Sequence, residues 1–485
     1  MFLYLAVIAL FILMTGYRLF AEGMFVDGVT YAAISRNLAR GLGSFWEPHL
    51  SATLYPQFHE HPPLAFGLEG LVFRIFGDHW LVERFYSLIS ILLTGYLMVL
   101  IWKELTGEKK SGWMPLFLWV LFPLVSWAAS SNLLDNTLCV FTTMSIWLII
   151  KSSAQNRPYY LIIAGSALFA GLLTKGPFAL FPWVLPFVWE LTRPGFRLGK
   201  ALLKTLILII ATLAPLILLL VVSNPARSSL HAYWVNQVVG SIENVQTVSS
   251  RFYILGILAL QLALPLLASG VAIWIFRKKT DRTNSVRSEP ISDRREPISE
   301  AIAGPIILNH LKSSAGLFLL GLCGVLPIMI SMKQSSFYIL SALPVFALSM
   351  ALAIRTLIND PVSQIPGSGK AAGIFRWATI LLLAASLVLA PVLGHQNKRD
   401  SLELAMIHEF SKVIPRGSTI RINRSLFTEW SLHSYFVRLY GISLDPAENP
   451  SAGYWLVADP EKPTGNQNTP WTEICKTNGF SLFEK

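Results

Sequence analysis

Long uninterrupted hydrophobic stretches dominate this chain, and short polar clusters separate them. About 20 apolar residues in a helix cross the roughly 30 Å hydrocarbon core of a bilayer. Eleven such stretches are read here: 1–20, 86–102, 113–129, 136–151, 159–174, 177–191, 202–222, 252–276, 314–331, 336–354 and 377–394. The loop between the first two, 21–85, holds two helix-like segments at 28–40 and 62–76. The second opens on Pro62-Pro63, tolerated in a first helical turn, and its apolar residues nearly surround it, as suits a helix lying at the bilayer surface. Glu69 and Arg74 are its charged residues.

From residue 395 the pattern changes. SLELAMIHEFSKVI has a helical period, STIRIN and GYWLVAD read as strands, and DPAENPSAG carries turn signals. The expectation is an all-α polytopic membrane protein over 1–394, with about 11 transmembrane helices and amphipathic helices in its first loop. A small α/β domain follows at 395–485, of a size that folds only marginally alone and leans on the membrane part. Segment 277–312, rich in charge, Ser and Pro and carrying SEPIS and REPIS, predicts a flexible cytoplasmic linker.

Composition sharpens this picture. With 53% hydrophobic and only 14% charged residues, the chain has more apolar surface than one soluble core can bury. Lys and Arg collect on the cytoplasmic side of membrane proteins. A cytoplasmic N-terminus places 20 basic residues in inside loops, whereas the outside loops hold only Arg18, Arg36, Arg40, Arg74, Arg84, Lys175, Arg227, Arg251 and Lys333. This topology puts loop 21–85 and the tail outside. It also explains the net charge of +11 through anionic lipid heads, without nucleic acid. The first span lacks a basic start and a small-residue cleavage site and reads as a helix rather than a signal. Cys139 and Cys323 fall in apolar spans and Cys475 stands alone, so no disulfide framework is implied.

An ionisable side chain at the edge of a spanning helix is costly to desolvate and marks function by default. Two acids flank the first outside loop: Asp27 in FVDGVTYA and Glu60 in FHEHPPLAF. Asp27 reads as a carboxylate facing an acceptor, or as a helix-edge residue making local hydrogen bonds. Glu60 and His61, with His59, read as a substrate or phosphate contact, as a divalent-metal site, or as a plain turn. Asp135 opens the fourth span on the same side, where it either holds a sugar hydroxyl or ion or complements the helix dipole. Lys175 and Lys333 lie in short outside loops on the side poor in positive charge. With Arg84 they suit a phosphate, against snorkelling for the lysines and an ion pair with Glu83 for Arg84. Tyr338 and Pro344 shape the start of a helix, and His231, Tyr233 and Trp234 read as an acceptor platform or, preferably, as an interfacial anchor.

In order, VDGVTYAAISRNLARG, FWEPH, EHPPLAF, GDHWLVERFYS, SNLLDNTL, LLTKGP and MKQSSFYILSALPVFAL resemble the GT-C membrane glycosyltransferases, in particular the protein O-mannosyltransferase and lipid A aminoarabinose transferase branch. The resemblance covers roughly residues 1–355. Two positions depart from it. Gly28 stands where the family often has Glu, and His61 where the aminoarabinose transferases have Lys. The resemblance implies a GT-C-like fold in a bacterial inner membrane and an inverting transfer of a sugar from a polyprenyl-phosphate donor on the extracytoplasmic face. Asp27 is then the catalytic carboxylate, with Glu60, His61, Arg84, Asp135, Lys175, Lys333 and Tyr338 around the substrate and donor phosphate, and membrane lipids as partners. The acceptor stays open among lipid, glycan and protein.

The chemistry agrees on general grounds. A lipid phosphate is a good leaving group, so substitution at the anomeric carbon needs a base on the acceptor and positive charge for the departing phosphate. No GxGxxG follows a strand, and no nucleotide-sugar site is implied. The competing reading is a polyprenyl-lipid flippase. Against it, the charges cluster at the outer ends of spans and no internal repeat is evident.

Overall fold

The computed structural model describes all residues except 194, 244, 287–297, 359–368, 448–451 and 459–470, with side chains described except at 279–286, 298–309 and 371. Among the described residues, nine helices are long and apolar enough to cross a membrane. They are built on α1 (Phe2–Leu19), α4 (Val82–Thr106), α7 (Leu134–Gln155), α8 (Tyr159–Lys175), α10 (Leu198–Val222), α13 (Tyr253–Val286), α14 (Ile298–Val325), α15 (Leu343–Leu357) and α16 (Lys370–His395).

The other two of the eleven predicted spans are broken helices. Segment 113–129 forms α5 (Trp113–Val120) and α6 (Pro123–Ala128). Pro123 forces Phe122 out of the helical region, to φ −70° and ψ 117°. Segment 177–191 is two 3-10 turns, Gly176–Ala179 and Phe181–Val184, followed by α9 (Leu185–Leu191), with a proline near the start of each. The predicted linker also needs correction. Residues 277–286 continue α13 and 298–312 belong to α14, while the SEPIS repeat and most of REPIS lie outside the described residues.

Burial sorts the spans. The segment Ser336–Leu357, a 3-10 turn leading into α15, is central, and Phe346, Leu348 and Leu352 are fully or almost fully enclosed. Trp102, Met98, Phe122, Ile146 and Ile149 pack in the same core. In contrast, α10 presents Leu202, Leu203, Leu206, Ile210 and Ile217 outward. Such a surface is stable against lipid and unfavourable in water.

The first loop contains α2 (Val26–Ala39) and α3 (Leu64–Phe76), which pack on each other. Leu71, Ile75 and Phe76 of α3 are exposed while Ala65, Phe66, Glu69, Gly70 and Phe73 are buried. The apolar exposed face fits the interfacial reading. Glu69 does not belong to a solvated face: it accepts hydrogen bonds from Ser35 Oγ at 2.7 Å and Asn132 Nδ2 at 2.8 Å.

Two short helical pieces, α11 (Asn224–Tyr233) and α12 (Gly240–Glu243), border one end of the bundle. The tail forms α17 (Ser401–Phe410) and α18 (Trp430–Tyr440) with five strands: β1 (Thr419–Ile422), β2 (Ser443–Asp445), β3 (Tyr454–Ala458), β4 (Thr472–Thr477) and β5 (Phe480–Glu484). The sheet order is β2-β1-β3-β5-β4, with β1 parallel to β2 and β3, and β5 antiparallel to β3 and β4.

This tail leans on the first loop through α18. Tyr435 Oη bonds the backbone of Met24, and Thr30 Oγ1 meets Ser434 Oγ at 2.6 Å. Arg438, stacked over Phe73, reaches Asp78 at 2.7 Å and Glu83 at 2.9 Å. Arg36 donates to the Val437 carbonyl at 2.6 Å. The helix that carries Asp27 is therefore held from behind by the tail.

Candidate active site

Three segments meet at one end of the bundle: the first turn of α2, the end of α8, and the turn from Ser331 to Tyr338. Asp27 lies in that first turn, partly buried. Its carboxylate takes no hydrogen bond or ion pair among the described residues, so the local-bonding alternative drops out. Burial pushes its pKa up to about 6, with Asp135 and Glu60 adding to the rise and Lys175 and Lys333 opposing it. These four charges therefore surround the acid closely enough to be felt.

Close backbone approach brings α2 there. A Cβ on Gly28 would stand 2.0 Å from the Ser131 carbonyl oxygen and 3.3 Å from Asn132 Cβ. Asn132, at φ +48°, returns a hydrogen bond from its side chain to the Gly28 carbonyl at 3.2 Å. The Glu common in the resembling family has no room at position 28 in this packing. Gly28→Ala is expected to destabilise the protein by about 1–3 kcal/mol through overpacking, read as a lowered thermal midpoint in detergent; an unchanged midpoint would contradict this contact.

Asp135 and Lys175 form a buried ion pair, with side chains 2% and 6% exposed. The lysine ammonium also lies over the rings of Tyr338 at 4.8 Å, Phe337 at 5.1 Å and Phe178 at 5.7 Å, favourable for a cation. Asp135 thus contacts Lys175, and dipole complementarity alone does not describe it. Gly176 turns the chain out of α8 at φ +64°, and a Cβ there would strike Tyr233 Oη at 2.1 Å. Lys333 is partly exposed, and its Nζ donates to Gln237 Oε1 at 2.9 Å.

Beside these cations is a cavity of about 470 Å³. Its lining joins a polar group, His61, Lys175, Gln237, Lys333 and Tyr338, to an apolar one that includes Pro177, Phe181, Val184, Ile242, Pro327 and Ile328. Tyr233 is a buried wall of this cavity while Trp234 is half exposed, so the aromatic anchor is divided between site and surface.

Arg84 does not line this cavity. Its guanidinium, 3% exposed, donates to the carbonyl of Ala21 and to those of Glu22 and Gly23, both at 3.1 Å. Glu83, its expected ion-pair partner, binds Arg438 instead. Arg84 therefore braces the link between α1 and α2 rather than meeting a ligand.

His61 is held among Tyr31, Phe58 and Tyr233, with ring centroids 5.6, 6.5 and 6.5 Å away. Burial and the neighbouring Lys175 and Lys333 drive its pKa down to about 3. It is neutral at pH 7 and contributes no fixed positive charge, though its buried Nδ1 lacks a partner among the described residues. Glu60 accepts from Tyr55 Oη at 2.5 Å, and His59 Nδ1 faces Ser229 Oγ at 3.2 Å. His59, Glu60 and His61 thus turn to different partners. Among the described residues no three His, Cys, Asp or Glu side chains are grouped to hold a metal, so the donor set expected for a divalent ion does not fit here.

Sequence reading missed Glu69 and Asn132. Burial raises the Glu69 pKa to about 8 despite bonds from Ser35 and Asn132 that favour its charged form. Asn132, a residue type that tolerates the left-handed backbone it adopts here, was the local signal for this junction.

Residues 60–220 match the family model described as dolichyl-phosphate-mannose-protein mannosyltransferase. Among characterised proteins, a 165-residue stretch is 26% identical to an undecaprenyl phosphate-alpha-4-amino-4-deoxy-L-arabinose arabinosyl transferase of Pseudomonas savastanoi pv. phaseolicola, covering 33% of this chain and 30% of that protein. A second such transferase, from Proteus mirabilis, is 27% identical over 158 residues, 32% of this chain and 28% of the relative. The chain thus spans less than a third of these relatives' length in the matched region. The crystal structure of ArnT from Cupriavidus metallidurans bound to undecaprenyl phosphate superposes over 99% of this chain and 97% of its own, with a TM-score of 0.62 and 13% identity. The apo structure of the same protein gives 0.62 at 14% identity, covering 99% and 96%. The fold expected from the sequence resemblance is the fold observed, a polytopic helical membrane body with a small sheet-containing tail.

Proposed function

From the GT-C fold and the cluster at the outer ends of its spans, we propose that this chain is an inverting glycosyltransferase that takes a sugar from a polyprenyl-phosphate donor on the extracytoplasmic face of a bacterial inner membrane. The observation that carries the reading is a carboxylate without a partner among the described residues, Asp27, that feels the charges of Lys175 and Lys333, two cations lining a largely apolar cavity. The apolar lining suits the polyprenyl chain, and the lysines with Tyr338 suit its phosphate.

In the reaction the acceptor hydroxyl gives its proton to Asp27 as its oxygen bonds the anomeric carbon. The bond from that carbon to the phosphate oxygen breaks, and its electron pair leaves with the polyprenyl phosphate. A single displacement inverts the anomeric centre. Asp135 holds the Lys175 ammonium in place, and the aromatic faces around it exclude water, which strengthens its pull on developing negative charge. His61, being neutral, offers a hydrogen bond.

The test is transfer of radiolabelled sugar from synthetic polyprenyl phosphate to an envelope extract by protein purified into lipid nanodiscs. A labelled product is expected; carriage of intact donor lipid across vesicles without any product would favour the flippase instead. The same assay has a defined pH dependence. Asp27 must be ionised to accept a proton, and its pKa stands near 6, so the rate at saturating donor rises between about pH 5 and 7 and levels above. A rate that falls as pH rises through 6 would remove Asp27 from the role of base.

A further inference from the structure

We propose that Tyr55, Glu60 and Trp430 form the acceptor subsite, and that it takes the pyranose ring of a glycan. The proposal rests on the glycosyltransferase reading and names the substrate class of that same site. Trp430 is the first residue of α18, contributed by the tail, and remains 41% exposed. Its ring centroid is 5.6 Å from that of Tyr55, with the planes tilted by 34°. Phe58 underlies Tyr55 at 5.4 Å and is 3% exposed. The buried ring supports the pair, in which Trp430 is exposed and Tyr55 half-buried.

Tyr55 is placed there at a cost. Its φ of +53° is a left-handed backbone conformation that bulky residues rarely adopt. The surrounding turn imposes it, with Leu50 N donating to the Tyr55 carbonyl at 3.1 Å and His49 Nδ1 at 3.0 Å from the Pro56 carbonyl. Strain of this kind collects where a side chain must be presented rather than packed.

A pyranose has one face of C–H groups and a rim of hydroxyls. Aromatic rings carry negative charge on their faces and attract the positively polarised C–H edge. A carboxylate beside the rings accepts from the rim. Glu60 is that carboxylate: one oxygen accepts from Tyr55 Oη at 2.5 Å, and the other takes no bond among the described residues. The charge of Glu60 is felt at Asp27, so the rings and the base belong to one neighbourhood. A peptide that binds by strand addition is recognised through backbone hydrogen bonds, which ring faces and a lone carboxylate do not supply.

The tests use full-length protein in nanodiscs, wild type against Trp430→Ala, a substitution at an exposed position whose side chain makes no hydrogen bond among the described residues. On a printed array of bacterial envelope glycans, wild type is expected to be retained and the variant to bind about tenfold more weakly. In the transfer assay with envelope extract, the apparent KM for extract rises about tenfold while the KM for donor is unchanged, and the label stays in protease-resistant product. Glycan binding that is absent from wild type, or equal in both proteins, overturns the subsite. So does a KM for donor that moves with that for extract, which would mark Trp430 as structural, or a label released by protease, which would mark a protein acceptor. Failure of the glycosyltransferase reading is seen separately, as no transfer by wild type, and the array still decides the subsite.

Discussion

Asp27→Asn is expected to lower sugar transfer by about 10²–10⁴-fold, the range in which general bases contribute, while leaving the protein folded and its donor bound. The amide keeps the shape of the carboxylate and cannot accept the acceptor's proton. Stability gives the control. The folded pKa of Asp27 is raised from 3.8 to about 6. An acid so shifted opposes folding when it is ionised, and the cost is fully present above the folded pKa and absent below the unfolded one. Removing the charge therefore leaves the thermal midpoint at pH 7 unchanged or higher. The donor cavity lacks Asp27 in its lining, so binding of polyprenyl phosphate stays at the wild-type level. Transfer undiminished in Asp27→Asn would leave an enzyme with a different base. A collapse of folding with activity would make Asp27 structural.

The parts of this site that were legible in the sequence are those where lipid makes charge expensive. Asp27, Lys175 and Lys333 stand out because an ionisable group at the end of an apolar span needs a reason, and the structure brings their charges into mutual range. What the sequence did not disclose is direction. Arg84 also ends a span on the outer side, yet its place on α4 turns it into the carbonyls of 21–23; no periodicity distinguishes that azimuth from one facing a ligand. Glu69 looked like the polar mark on an interfacial helix, but Ser35 and Asn132 draw it inward. The contacts of Tyr435 and Arg438 with the first loop join residues more than 350 apart in the chain, where neither pattern nor propensity carries information. Spans broken by proline were read as continuous because hydropathy averages over the break at Phe122 that Pro123 imposes.

Lys333→Ala is expected to slow transfer by about 10²–10³-fold, comparable to removing one preorganised donor from a site of developing charge. Lys333 is partly exposed and bonded to the neutral Gln237, so its loss strands no buried charge and the thermal midpoint holds. Lys175→Ala should cost as much in rate and more in stability. It leaves Asp135, 2% exposed, without its partner, and breaking a buried pair from one side costs about 3–5 kcal/mol. The double variant Lys175→Met with Asp135→Leu separates the two effects, because replacing both charges with apolar groups is close to neutral for folding. It should recover the midpoint and none of the transfer. Recovery of both would mean that the pair is a structural clasp and that the phosphate is met by Lys333 alone; wild-type transfer by Lys333→Ala would shift that role to Lys175.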